Sequence, residues 1–149
     1  MKAISSGISI RALGYLVALA EEKHFGRAAE RDPAWPYPWL RAGLVYNSLG
    51  DKAEALKFME RANLLDPGNR RIRANLASLY AETGRPDAAL AILEDLVRDY
   101  PGYVNGWFNL AVLHLQAGRL AEARRALDGA RTLRGLDDSA RRQIVQLER

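Results

Sequence analysis

The side chains best able to do chemistry in this chain are few and far apart. His24 and His114 are its two histidines, and neither has a second ligand beside it at metal-binding spacing. Cysteine is absent, which removes thiol nucleophiles, disulfides and thiolate metal sites together. Acidic neighbours such as Glu94 and Asp95 are adjacent in sequence, so on a helix they point to different sides and cannot share a reacting atom. The chain has no G-x-x-x-x-G-K phosphate loop, no H-E-x-x-H zinc helix and no G-x-S-x-G nucleophile turn. These residues predict no enzyme, no cofactor and no metal, with His114 packed between helices. One aromatic stands apart. Trp35 lies in Pro33-Ala34-Trp35-Pro36-Tyr37-Pro38, a stiff turn in which it is either an ordinary packed residue or an exposed anchor for a partner.

The elements that must position any surface are set by a period. Proline recurs at Pro33, Pro67 and Pro101, glycine at Gly50, Gly84 and Gly118, and alanine at Ala55, Ala89 and Ala123, each at a step of 34 residues. Tyr46, Tyr80 and His114 keep the same step. A fixed period of about that length marks stacked helical hairpins, which act through an extended surface rather than a buried pocket. Within one period Ile72, Leu76, Leu79 and Tyr80 fall on one helical face, and Ala88, Ala89, Ile92, Leu93 and Leu96 on another. Gly84 between them suits a left-handed helix end, Pro86 the first turn of the next helix, and Pro67 and Pro101 block continuation. Gly43, Ala77 and Ala111 are small enough to let the two helices of a hairpin approach closely. Leu76, Tyr80, Leu93 and Leu96 are expected at the centre of the array, with Trp39 and Trp107 in the core.

The recurring residues resemble the tetratricopeptide repeat (TPR) family, whose pattern runs W-x2-L-G-x2-Y, A-x3-F, P. In 36–69 those offsets hold Trp39, Ala42, Gly43, Tyr46, Ala55, Met59, Ala62 and Pro67. In 70–103 they hold Arg73, Leu76, Ala77, Tyr80, Ala89, Leu93, Leu96 and Pro101. In 104–137 they hold Trp107, Leu110, Ala111, His114, Ala123, Leu127, Ala130 and Gly135. Residues 1–35 read as an N-terminal helical segment with a degenerate first repeat, in which Phe25, Ala28 and Pro33 are in phase but Ala12 and Leu16 are not. Residues 138–149 read as a capping helix with Ala140, Ile144 and Leu147 as its apolar stripe. The resemblance implies an all-α, right-handed superhelical solenoid of helix-turn-helix repeats closed by that helix.

Charge adds little to this. The formal net charge is +4, with acidic and basic residues interspersed as on any solvated helical coat. Nucleic acid is therefore not the expected partner, although the basic carboxy-terminal third keeps RNA as a weaker rival. No apolar run reaches the length of a membrane span. Lys2, Arg11 and the apolar stretch after it loosely imitate a signal peptide; the favoured reading is a packed N-terminal helix in a cytoplasmic protein. A periplasmic location would follow if residues 1–20 were cleaved.

What the resemblance implies about function is non-catalytic binding of another protein or peptide, as an adaptor, scaffold or assembly factor. The alternative is a self-associating structural segment or a piece of a longer array. Family members bind ligands on the concave face built from first helices. Those positions here are Tyr37, Leu40, Arg41, Leu44 and Asn47; then Arg71, Ala74, Asn75 and Ser78; then Asn105, Phe108, Asn109, Val112 and Gln116. Arg41 and Arg71 would donate to carboxylates, Asn75 and Asn109 would hold peptide backbone, and Leu44, Phe108 and Val112 would take apolar side chains. The carboxylate-clamp subclass is not expected, because Leu40, Leu44, Asn105 and Asn109 stand where it needs other residues.

Overall fold

Glycine and proline decide where the helices begin and end. The computed structural model describes residues 20, 21, 23–25, 27, 28, 31–133 and 138–147. Ala12, Leu16, Gly135, Glu148 and most of the signal-like segment lie outside the described residues. The described positions from 20 to 31 are helical. Next come α1 (Pro36–Leu49), α2 (Lys52–Leu65), α3 (Arg70–Glu82), α4 (Pro86–Asp99), α5 (Val104–Gln116), α6 (Leu120–Arg131) and α7 (Asp138–Leu147). Every regular element among the described residues is a helix. Gly50, Gly84 and Gly118 have φ of 84°, 79° and 70°, the left-handed values that close the first helix of each hairpin. A side chain at these positions would carry steric strain of roughly 1–2 kcal/mol. Pro36 and Pro86 sit in the opening turns of α1 and α4, where a missing N–H costs nothing.

The chain divides into two units, 1–67 and 68–149. In the first, α1 and α2 form a tight hairpin. A Cβ on Gly43 would lie 3.1 Å from the Met59 methyl and 3.3 Å from the Ala55 carbonyl oxygen, so the small residue sets the helix separation. Phe58 stacks on Tyr46 with ring centroids 5.1 Å apart. Asp51 caps α2 by accepting the Glu54 N–H at 3.1 Å.

In the second unit α3 pairs with α4 and α5 with α6, and α5 also packs on both α3 and α4. Leu76, Leu93, Leu96, Leu110 and Leu127 are buried, with Ala77, Ala89 and Ala111 sealed between helices. Asn69 caps α3, its side chain accepting the Arg71 and Ile72 N–H groups. Helix α7 reaches both α5 and α6 through the buried Ile144, with Leu147 half-buried and Arg141 and Arg142 exposed.

The expectations for Trp39, Trp107 and Tyr80 need correcting, whereas His114 packs inside as expected. Trp39 and Trp107 are half-buried rather than core residues. Their indole N–H groups donate to the carbonyls of Pro33 at 3.2 Å and Pro101 at 2.8 Å, so each ring ties down the turn that precedes its own helix. That bond requires the ring edge to reach the turn at the surface. Tyr80 is likewise half-buried, because its ring carries the Arg85 guanidinium 5.5 Å above it. His114 is buried in the last turn of α5, and its Nδ1 meets no hydrogen-bond partner among the described residues.

Candidate functional site

In the second unit the first helices α3 and α5 lie side by side, and the groove between them is polar. Their opening turns form a cleft of about 430 Å³, lined by Arg70, Arg71, Asn75, Tyr103, Asn105 and Asn109 together with Ala74 and Ser78. Helical periodicity explains the set: residues 71, 75 and 78 share one face of α3, and 105, 109, 112 and 116 share one face of α5. Towards the helix ends the groove continues as a second cleft of about 220 Å³, which shares Ser78 and Asn109 and adds Val112, Gln116 and Glu82.

The groove's chemistry is that of hydrogen bonding to a chain and of charge at one end. Arg71 is exposed, and Arg70 lies over the Tyr103 ring with its guanidinium carbon 5.5 Å from the centroid. No carboxylate lines this end, whereas Glu82 lines the other. Two arginines thus stand at the α3 start with no acid among the residues that line the cleft there. Asn75 donates from its side-chain nitrogen to the Arg71 carbonyl at 2.8 Å, which pins the amide against the helix and leaves its oxygen as an acceptor. Val112, 36% exposed, is the apolar element of the groove.

The residues singled out in the sequence divide accordingly. Arg71, Asn75, Asn105, Asn109 and Val112 line the groove. Phe108 does not; at 8% exposed it belongs to the core of the second unit, because its step along α5 turns it inward. In the first unit Leu40 is 4% exposed and also interior, for the same reason. Leu44 is half-buried, and Asn47 accepts the Lys52 ammonium at 2.5 Å, which commits it to the α1–α2 turn. Arg41 is half-buried with its guanidinium 5.2 Å above the Phe25 ring, a packing role rather than an open anion donor. Tyr37 is exposed and stacks on Trp35, centroids 5.8 Å apart; Trp35 itself is 50% exposed. Ser78, also placed on the concave face, lines both clefts, whereas Arg70 and Tyr103 were missed as site residues. The signal for Arg70 and Tyr103 is their place at the starts of neighbouring first helices, one repeat step apart less a residue.

Among the described residues no group of three or more His, Asp or Glu side chains could hold a metal, and no helix is long and apolar enough to cross a membrane.

Repeated two-helix hairpins presenting a polar groove on their first helices define an α-helical repeat protein. A family model described as tetratricopeptide repeat matches residues 46–103 and 84–142, and the chain belongs to that family of protein-binding scaffolds. It is 38% identical over 87 residues to the TPR repeat-containing thioredoxin TTL4 of Arabidopsis thaliana, covering 58% of this chain and 13% of that protein. With the tetratricopeptide repeat-containing protein trd-1 of Caenorhabditis elegans it shares 26% identity over 145 residues, covering 91% of this chain and 18% of the other. The chain thus spans less than a fifth of either relative's length. Among solved structures it is similar to TTC0263, a thermophilic TPR protein of Thermus thermophilus. The TM-score there is 0.76 at 19% identity, over 91% of this chain and 79% of that one. It is also similar to the first TPR domain of Spaghetti (RPAP3) bound to the HSP90 peptide SRMEEVD. That match has a TM-score of 0.65 at 18% identity, over 76% of this chain and 90% of the other.

Proposed function

We propose that this chain is a non-catalytic adaptor or assembly factor that holds a segment of another protein along the α3–α5 groove. The observation that carries the reading is the groove's composition: two arginines and no carboxylate at one end, three asparagines along it, and an exposed valine beyond. Asparagine amides can both donate to and accept from a peptide backbone, so they hold a chain without dictating its sequence. Direction and preference then come from the charged end and from the apolar contact at Val112. The RPAP3 domain, which shares the fold, is bound to a peptide carrying two glutamates and an aspartate. This chain's groove suits an acidic segment on its own residues, since Arg70 and Arg71 face no lining acid. The enzymatic part of the TTL4 name lies with that longer protein and is not carried over to these repeats.

The test is a pull-down from the native host with mass spectrometry, followed by measurement of the recovered partner's affinity for variants. Arg71→Ala and Asn109→Ala should each weaken it about ten-fold, roughly 1.4 kcal/mol. Arg71→Ala should leave folding nearly untouched, since Arg71 is exposed, and Asn109→Ala should cost little because the half-buried Asn109 lines the open groove. Unchanged affinity in both variants would remove the groove as the recognition surface.

A further inference from the structure

The last hairpin carries a second surface, unrelated to the α3–α5 groove. Helix α6 buries Ala123, Ala126, Leu127 and Ala130, yet Leu120 in its first turn is 70% exposed. Beside it opens a cleft of about 850 Å³ with Leu115, Leu120, Leu127 and Leu147 as apolar walls and Arg124, Arg125 and Asp128 among its lining. Helix α7 covers its neighbours with Ile144, but Leu147 is only half-buried at the wall of this cleft and Val145 is exposed. An apolar cleft of this volume is large enough to bury several side chains of a ligand, and exposed apolar surface of this kind marks a place where something docks.

Charge identifies the occupant. The described residues from 119 to 147 carry six arginines against Glu122, Asp128 and Asp138. Each acid already lies near an arginine three residues on: Glu122 with Arg125 at 3.5 Å, Asp128 with Arg131 at 3.8 Å, and Asp138 with Arg141 at 3.9 Å. Arg124, on the cleft itself, takes part in none of these pairs. The geometry points to an amphipathic helix of a partner protein, with leucine-type residues in the cleft and glutamates or aspartates facing Arg124. A second copy of this chain fits poorly, because a two-fold contact would set the same arginine rim against itself. An extended peptide fits poorly as well. The walls are apolar side chains with no strand beside them among the described residues, so the occupant must satisfy its own backbone, as a helix does.

The test uses the whole chain and a fluorescein-labelled 15-residue helical peptide with leucines on one face and glutamates on the other; a second peptide has lysines in place of the glutamates. Fluorescence anisotropy should show the glutamate peptide binding about ten-fold or more tightly than the lysine peptide, with affinity falling between 50 and 300 mM salt. Leu120→Glu and Arg124→Glu should each weaken the glutamate peptide about ten-fold with unchanged thermal melting, since both side chains are exposed. Equal binding of the two peptides, binding of neither, or unaltered binding by Leu120→Glu would overturn the inference. So would sedimentation showing a dimer of the parent that Leu120→Glu dissolves, which would give the cleft to a second copy.

Discussion

Arg73 shows how one residue type can stand in for another when its partner changes too. Its step in the sister repeats holds Trp39 and Trp107, whose indoles tie down the turns at Pro33 and Pro101. In the middle repeat the Arg73 guanidinium, almost wholly buried, donates to Asp99 at 2.7 Å, and Tyr100 Oη donates to the Gly68 carbonyl at 2.6 Å. Asp99 itself stands where the sister repeats have Leu65 and Leu133. The middle repeat thus carries an arginine–aspartate ion pair at the two positions where its sisters carry tryptophan and leucine. Asp99→Leu alone should cost about 1–3 kcal/mol, because it leaves a buried guanidinium without its acceptor. The double change Arg73→Trp with Asp99→Leu should recover most of that loss, a coupling that urea melts of the two singles and the double will measure. Trp107→Phe removes the N–H bond to Pro101 together with part of the ring's packing, with an expected loss of about 1–3 kcal/mol in the same assay.

At the scale of the helices, the period predicts where damage is greatest. Leu76 and Leu93 are buried on facing helices of one hairpin, and truncating either to alanine should cost about 2–5 kcal/mol, enough to unfold much of a marginal domain. A thermal melt of each variant checks this. Gly129→Ala should also destabilise, since its Cβ would come 2.7 Å from the Trp107 ring. The helix boundaries were legible in the sequence because glycine and proline act through local backbone constraint; Gly50, Gly84 and Gly118 all take the left-handed φ their spacing implied. Depth was less legible. Periodicity says which face of a helix is apolar, but the neighbour across the hairpin decides how far a side chain is covered. Leu40 and Phe108 therefore turned out interior, and Tyr80, Trp39 and Trp107 nearer the surface than expected. The groove was partly legible. Arg71, Asn75, Asn105 and Asn109 could be placed on first-helix faces, whereas Arg41 and Asn47 were claimed by Phe25 and Lys52, contacts no repeat pattern encodes.

At the scale of the whole chain, α7 buries Ile144 and leaves Arg141 and Arg142 exposed, and we propose that it caps the repeats before it. Removing residues 138–149 takes Ile144 off α5 and α6 and uncovers their apolar faces. The shortened chain should melt markedly lower or aggregate, and light scattering alongside a thermal scan will show it; an equally stable monomer would deny α7 its capping role. The function proposed above rests on the first-helix surface. Crosslinking is the direct test of whether a partner protein binds in the α3–α5 groove. A photo-crosslinking residue placed at Asn109, in the groove, and one placed at Glu94, on the exposed face of α4, should be exposed to extract of the native host and irradiated. A discrete crosslinked partner is expected from position 109, diminished by Arg71→Ala, and none from position 94. The same partner captured equally from both positions, or from 94 alone, would contradict binding in the groove.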